Sequence, residues 1–304
     1  MYYSMVEHTD TFTIFVFCMD DESCLRMSEK KLPSVVIVKY SELEEFDGEL
    51  FESRSNRSRI EYYFTCTPAI CNYVFANYND VDLLTYLDSD LYFFSSPEVV
   101  FEEIGNKSIA IVEHRFSKFG RKFLKLGIFN VAWITFRRDK QGMQCLKKYR
   151  QQCLEWCCDY LDGDRYADQK YLDSWPLEYP DLIILKNKGV NLACWNIGNY
   201  KLKKNGTKIF VNDDELVFYH FAGFEQLRNG LYTSNMSSYF IRPGKLVKNE
   251  IYAVYITNLI ANSTQTDISK KTINPKYSEF SLKRLLKDIL RKIRLSLFGD
   301  YIKV

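Results

Sequence analysis

The sequence is short of the features that would place it at a glance. No apolar run approaches the roughly 20 residues that a membrane-spanning helix needs. The opening Met1-Tyr-Tyr-Ser-Met-Val-Glu-His8 carries charge within eight positions and does not read as a secretory signal. No charge of one sign dominates: a formal net charge of +2 argues against a general nucleic-acid binder, so no nucleic-acid partner is expected. There is no internal repeat and no low-complexity linker. A disulfide framework is also missing, because the nine cysteines are odd in number and scattered through a chain large enough to build its own core. That usage suits reduced thiols in the cytosol. Cys153, Cys157 and Cys158 cluster in a helix-like stretch with no histidine nearby, which reads as packing rather than zinc. The sequon Asn262-Ser-Thr carries no weight if the protein is never secreted.

What is present is an ordinary folding composition, 46% hydrophobic and 26% charged over 304 residues, enough for one large α/β domain with a smaller appendage. β-Branched and aromatic runs at residues 11–18, 35–38, 81–87, 108–113, 128–136, 182–185 and 209–211 read as strands. Apolar spacing predicts helices from Glu61 to Tyr78 and through Met143, Leu146, Tyr149, Cys153, Trp156 and Tyr160. Strands alternating with helices predict an α/β fold with a mostly parallel central sheet, whose ligands bind at the carboxyl ends of the strands. The core domain is expected over residues 1–225, with a helical extension over 226–304.

The polar residues of interest fall where those strands end. Asp88-Ser89-Asp90 follows the apolar run 81–87 and precedes Leu91-Tyr-Phe-Phe94. On an extended chain residues two apart project to the same side, so both carboxylates can converge on one cation. Hard oxygen ligands suit Mg²⁺ or Mn²⁺. An acidic pair clamped between apolar runs is costly to leave unpaired, which favours a metal site over a solvated acidic loop. His220, in a strand-like run ending at Gly223, is the natural third ligand, although a lone histidine is more often a satisfied core residue. Asp168 lies at a helix start, where an N-capping role would account for it; the same role does not account for Gln169. Asn130 is an amide in an apolar stretch and must find partners, either backbone or a sugar hydroxyl. Arg57 and Arg59, just before the helix at Glu61, are placed to meet a diphosphate or to face solvent.

Five segments, in order, resemble glycosyltransferases of the GT-A fold, in particular bacterial nucleotide-sugar transferases related to glycosyltransferase family 8. They are Thr85-Tyr-Leu-Asp-Ser-Asp-Leu91, Gly127-Ile-Phe-Asn-Val-Ala-Trp133, Ala167-Asp-Gln-Lys-Tyr-Leu172, Asn191-Leu-Ala-Cys-Trp-Asn-Ile197 and Phe218-Tyr-His-Phe-Ala-Gly223. The resemblance implies a Rossmann-like GT-A domain that transfers a sugar from a nucleotide diphosphate sugar, a UDP-sugar for preference, with retention of configuration. It implies that Asp88 and Asp90 serve the nucleotide and a Mn²⁺ or Mg²⁺ ion, and that His220 is the other protein ligand. Asn130, Asp168 and Gln169 would line the donor-sugar pocket, with Arg59 an addition, and Gln169 or Asp168 would lie near the reacting carbon. Two departures stand out. The lysine that the family often carries after the histidine is absent, leaving Arg228 as a substitute, and Met1 to His8 resembles a helix whose preceding first strand is missing.

The segment Ser281–Ser296 sets six basic residues (Lys283, Arg284, Lys287, Arg291, Lys292, Arg294) against Asp288, with Leu282, Leu285, Leu286, Ile289, Leu290 and Ile293 on one stripe. Such a helix suits an anionic membrane surface, where a transferase would meet a lipid-linked acceptor of a cell-surface polysaccharide or lipopolysaccharide. The expected location is cytoplasmic, peripheral at the inner face of the membrane. The alternative is a non-catalytic relative that binds a sugar nucleotide or a partner. An aspartyl phosphatase, which also uses Asp-x-Asp, is set aside because Tyr92 stands where a Thr or Val is needed.

Overall fold

The computed structural model describes residues 1–228, 230–262 and 282–304, the side chains of 282–285 excepted. Ser263 and Thr264 of the sequon and Ser281 of the basic helix therefore fall outside the described residues, as do the side chains of Leu282, Lys283, Arg284 and Leu285.

A short helix α1 (Tyr2–Val6) leads into β1 (Ile14–Cys18), which pairs in parallel with β2 (Val35–Lys39) across α2 (Asp21–Glu29). Asp20 starts α2 by accepting from the Ser23 amide. After α3 (Tyr40–Phe46) and α4 (Gly48–Ser53) comes α5 (Arg59–Asn77), opened by a capping box in which Ser58 and Glu61 satisfy each other's backbone amides. Next are β3 (Leu83–Leu87), β4 (Leu91–Phe93), α6 (Glu98–Ile104), β5 (Ile109–Glu113), a 3-10 segment Lys118–Leu126, β6 (Phe129–Arg137) and α7 (Lys140–Glu155). Gly142 in the first turn of α7 is required by space, since a Cβ there would come within 2.2 Å of the Arg137 carbonyl oxygen. Helix α7 ends before Trp156, short of the helix expected through Tyr160.

The α/β class is as expected, but the central sheet is not mostly parallel. Its order is β3-β6-β5-β7, with β7 at Leu182–Ile184, and only β5 and β7 run parallel. The reason lies between β5 and β6: residues 114–128 form loop and 3-10 turns, with no crossover helix, so β6 returns antiparallel beside β5. Both faces of this sheet are covered. Ile109, Ile111, Ile134 and Phe136 face α5 and α7 with Cys71, Phe75, Tyr149 and Trp175. Ala110, Val112 and Trp133 face a second layer with Leu91, Phe93, Val100 and Phe218.

A smaller sheet, β4-β12-β8, combines β12 (Phe218–His220) with β8 (Leu192–Ala193), after α8 (Trp175–Glu178). Three short strands, β9 (Leu202–Asn205), β10 (Lys208–Val211) and β11 (Asp214–Glu215), form a separate sheet. Beyond residue 225 the chain holds β13 (Glu225–Arg228), β14 (Leu231–Thr233), α9 (Ala253–Asn262), α10 (Leu282–Phe298) and β15 (Ile302–Lys303), so this part carries strands as well as the expected helices. Its Met236, Ile251, Tyr252 and Ile302 share one core with Tyr92, Leu192 and Tyr219. No helix among the described residues is long and apolar enough to cross a membrane.

Candidate metal and donor-sugar site

The site is made by strand register. β12 runs antiparallel to β4 with His220 opposite Leu91, and the Phe221 amide donates to the Asp90 carbonyl oxygen over 3.0 Å. The histidine ring is thereby set against the turn that leaves β3. Its Nε2 lies 3.1 Å from Asp90 Oδ1 and 3.7 Å from Asp88 Oδ2. One ligand atom from each of the three residues falls within 4.8 Å of the others. Ligands about 2.1 Å from an octahedral divalent ion stand roughly 3 Å apart at right angles, so the donor set fits such an ion. Among the described residues this is the one group of three potential ligands that converges in this way. Cys153, Cys157 and Cys158 are free thiols and make no such group.

Electrostatics bind the three residues together. Burial disfavours a charged imidazole, yet the hydrogen bond to Asp90 and the charges of both carboxylates hold His220 above its ordinary value. Burial likewise works to raise Asp90, but the hydrogen bond and charge of His220 take it below the usual carboxylate range. Burial prevails at Asp88 and pushes it up. Trp195 meets the His220 ring edge-on at 5.1 Å, and the Trp195 indole donates to the His114 carbonyl oxygen, which fixes the wall behind it. His220 Nδ1 is buried without a hydrogen-bond partner among the described residues, so Nε2 is the engaged nitrogen.

The triad opens on a cavity of about 1140 Å³ between β1, β3 and α5, which Asn130, Asp168 and Gln169 also line. Asp168 caps no backbone amide, contrary to the bland expectation for it; its Oδ2 accepts from Thr67 Oγ1 at 2.8 Å. Burial, with the charge of Asp88 behind it, pushes this carboxyl up to about 7. Gln169 does have a structural anchor, since its Nε2 donates to the Leu126 carbonyl oxygen and its side chain packs against Gly127. Asn130 Nδ2 points at His114 Nε2 over 3.2 Å and its Oδ1 accepts from the Ala132 amide. Burial holds His114 down to about 3, so its imidazole is neutral.

The three arginines are not brought to the cavity wall. Arg57 bonds the Leu154 carbonyl oxygen, and the exposed Arg59 donates to the Tyr63 hydroxyl. Arg228 lines a different pocket, of about 710 Å³, with Asp288, Arg291, Lys292 and Lys303, which removes it as a substitute for the missing lysine at the donor. Sequence reasoning assigned no role to Thr67, His114 and Trp195. Thr67 carried no local signal; Trp195 stood in one of the five resembling segments, and the scarcity of histidine, three in the chain, was the available hint for His114.

No protein-family model matches the chain. The uncharacterized protein YfnD of Bacillus subtilis (strain 168) is 31% identical over 262 residues, covering 85% of this chain and 83% of its own length. The chain belongs to the YfnD family. A second uncharacterized protein of the same organism, YfnF, is 29% identical over 219 residues, 69% of this chain and 72% of its own. Among solved structures, mouse xyloside xylosyltransferase 1 shares 14% identity at a TM-score of 0.45, over 73% of this chain and 90% of its own. The galactosyltransferase LgtC, with donor and acceptor sugar analogs, shares 15% at a TM-score of 0.47, over 73% of this chain and 81% of its own. At TM-scores under 0.5 neither likeness bears on the chemistry of this member of the YfnD family.

Proposed function

We propose that this YfnD-family protein is a GT-A glycosyltransferase related to glycosyltransferase family 8, moving a sugar from a nucleotide diphosphate sugar, a UDP-sugar for preference, to a glycan or lipid-linked acceptor with retention. The observation that carries the reading is the convergence of Asp88, Asp90 and His220 at a cavity lined by Asn130, Asp168 and Gln169. Residues 1–225 form the transferase domain and 226–304 the extension.

In this reading Asp88, Asp90 and His220 hold Mn²⁺ or Mg²⁺. A cation bound there supplies Lewis-acid stabilisation of the negative charge that builds on the departing diphosphate. The cavity wall supports such a need, because no arginine or lysine is among the described residues that line it. Gln169, with its nitrogen tied to Leu126, presents an oriented carboxamide to the sugar. Asp168 lies behind it, held by Thr67. Asn130 is positioned through His114 to meet a sugar hydroxyl.

β1 pairs only with β2 and β3 only with β6, so the inner edges of both strands are left open on the cavity. We read that gap as the place of the first strand expected from the resemblance. The exposed apolar stripe of α10 supports attachment to an anionic membrane from the cytoplasmic side.

A non-catalytic sugar-nucleotide binder is the second reading, favoured by the internal hydrogen bonds that already engage Asn130 and Gln169. A panel of nucleotide sugars with Mn²⁺ separates the two. Donor hydrolysis by the wild type, reduced about a hundredfold or more in Asp90→Ala, is the expected result. Equal hydrolysis by both proteins removes the metal assignment, and donor binding without turnover establishes the second reading.

A further inference from the structure

The 3-10 segment Lys118–Leu126 is more than a connection. It repeats every three residues, so Gly120, Phe123 and Leu126 form its inner row, and Phe123 packs edge-on against Tyr239 at 5.7 Å. The outer rows, Lys118, Arg121 and Leu124 beside Phe119, Lys122 and Lys125, are exposed. The nine residues contain four basic groups and no acidic one. Phe119, 57% exposed, reaches Phe240 at 5.4 Å, and Phe240 reaches Phe298 at the end of α10 at 5.9 Å. From there Leu297, Ile293, Leu290, Ile289 and Leu286 continue as a stripe at helical spacing, each between 44% and 65% exposed. Two basic, apolar elements far apart in sequence thus meet through one chain of aromatic rings.

We propose that Lys118–Leu126 is a second membrane-contacting element that, together with the stripe of α10, seats the protein on an anionic lipid surface. The inference rests on the membrane reading of α10 and extends it. Charge selects the occupant. A second copy of this chain would set the basic segment against its own like charges, whereas anionic headgroups complement it while the phenylalanines and leucines enter the acyl boundary. The placement also has a consequence for the site. Leu126, at the end of the segment, is the residue whose carbonyl oxygen holds Gln169, so the proposed membrane element adjoins the wall of the donor cavity.

The test is co-sedimentation of the full chain with vesicles of phosphatidylglycerol and phosphatidylcholine, against phosphatidylcholine alone. The wild type should bind the anionic vesicles only. The double variant Arg121→Glu, Lys122→Glu should lose binding about thirtyfold or more, at roughly a factor of five per basic residue removed. Phe119→Ser should release the fraction that high salt does not. All three positions are exposed, so the fold and its circular dichroism spectrum should be kept and solution donor hydrolysis should be unaffected. Only Phe119→Ser, which removes the contact with Phe240, should lower the thermal midpoint, by a few degrees at most. Wild-type binding by these variants, with loss in Leu290→Ser, Ile293→Ser, overturns the second element and leaves α10 as the anchor. Undiminished binding in both sets overturns this inference and the membrane reading together. A wild-type dimer that Phe119→Ser dissociates, without vesicle binding, assigns the face to a second copy and also overturns it.

Discussion

Asp168 shows how one residue's role turns on its surroundings. Its position at a helix start suggested a cap, but its carboxylate turns inward to Thr67, in the same buried region as Asp88. A carboxyl raised from about 3.9 unfolded to about 7 in the fold binds more protons folded than unfolded between those values. Stability of the metal-free protein must therefore fall as pH rises from about 4 through 7, by a few kcal/mol at most. Asp168→Asn keeps an acceptor for Thr67 and removes the charge. It should be more stable than the wild type at pH 8 and close to it at pH 4, as read by urea melts at both values. A constant difference across that range would show that Asp168 is not the titrating group. Gln169 and Asn130 carry the same lesson in a milder form. Gln169 was picked out as lacking a structural role and Asn130 as needing either backbone or sugar partners, and both have internal partners that only the folded chain could supply.

At the scale of elements, burial separates the strands into two kinds. β5 and β6 are buried almost throughout, whereas β1 and β3 are half-buried along most of their length despite apolar sequences. β1 pairs with β2, and β3 with β6, while the cavity lies between the two inner edges. Native-state hydrogen exchange should then show β6 amides protected to the global level. Amides of β1 and β3 that face the gap should exchange at least about a hundredfold faster. Uniform protection across all four strands would mean that the edges are already satisfied. β1, β2 and every strand of the central sheet were legible from β-branched and apolar runs, whereas β4 and β8, of three and two residues, were too short to read as strands. The direction of β6 was not legible, because a strand's composition does not record which way it runs, and the loop of 114–128 alone decides it.

For the whole molecule, the three candidate ligands come from the turn after β3 and from β12, elements of different sheets, so a bound ion ties those sheets together. Mn²⁺ at a hundred times its dissociation constant should add about 2.7 kcal/mol to stability. A thermal scan should show a rise in midpoint that EDTA reverses and that Asp90→Ala abolishes; an equal rise in that variant would place the ion elsewhere. By itself the sequence determined the strands of the central sheet, helix α5 and the Asp88 and Asp90 pair at a strand end, since apolar runs and a two-residue spacing are local properties. The candidacy of His220 came from the order of the resembling segments. Whether His220 reaches that pair, whether Asp168 caps or turns inward, and that Arg57, Arg59 and Arg228 stay off the cavity wall were decided by tertiary structure alone. The physical reason is that a ligand set separated by 130 residues exists only through the pairing of β12 with β4, and register is a property of two strands together.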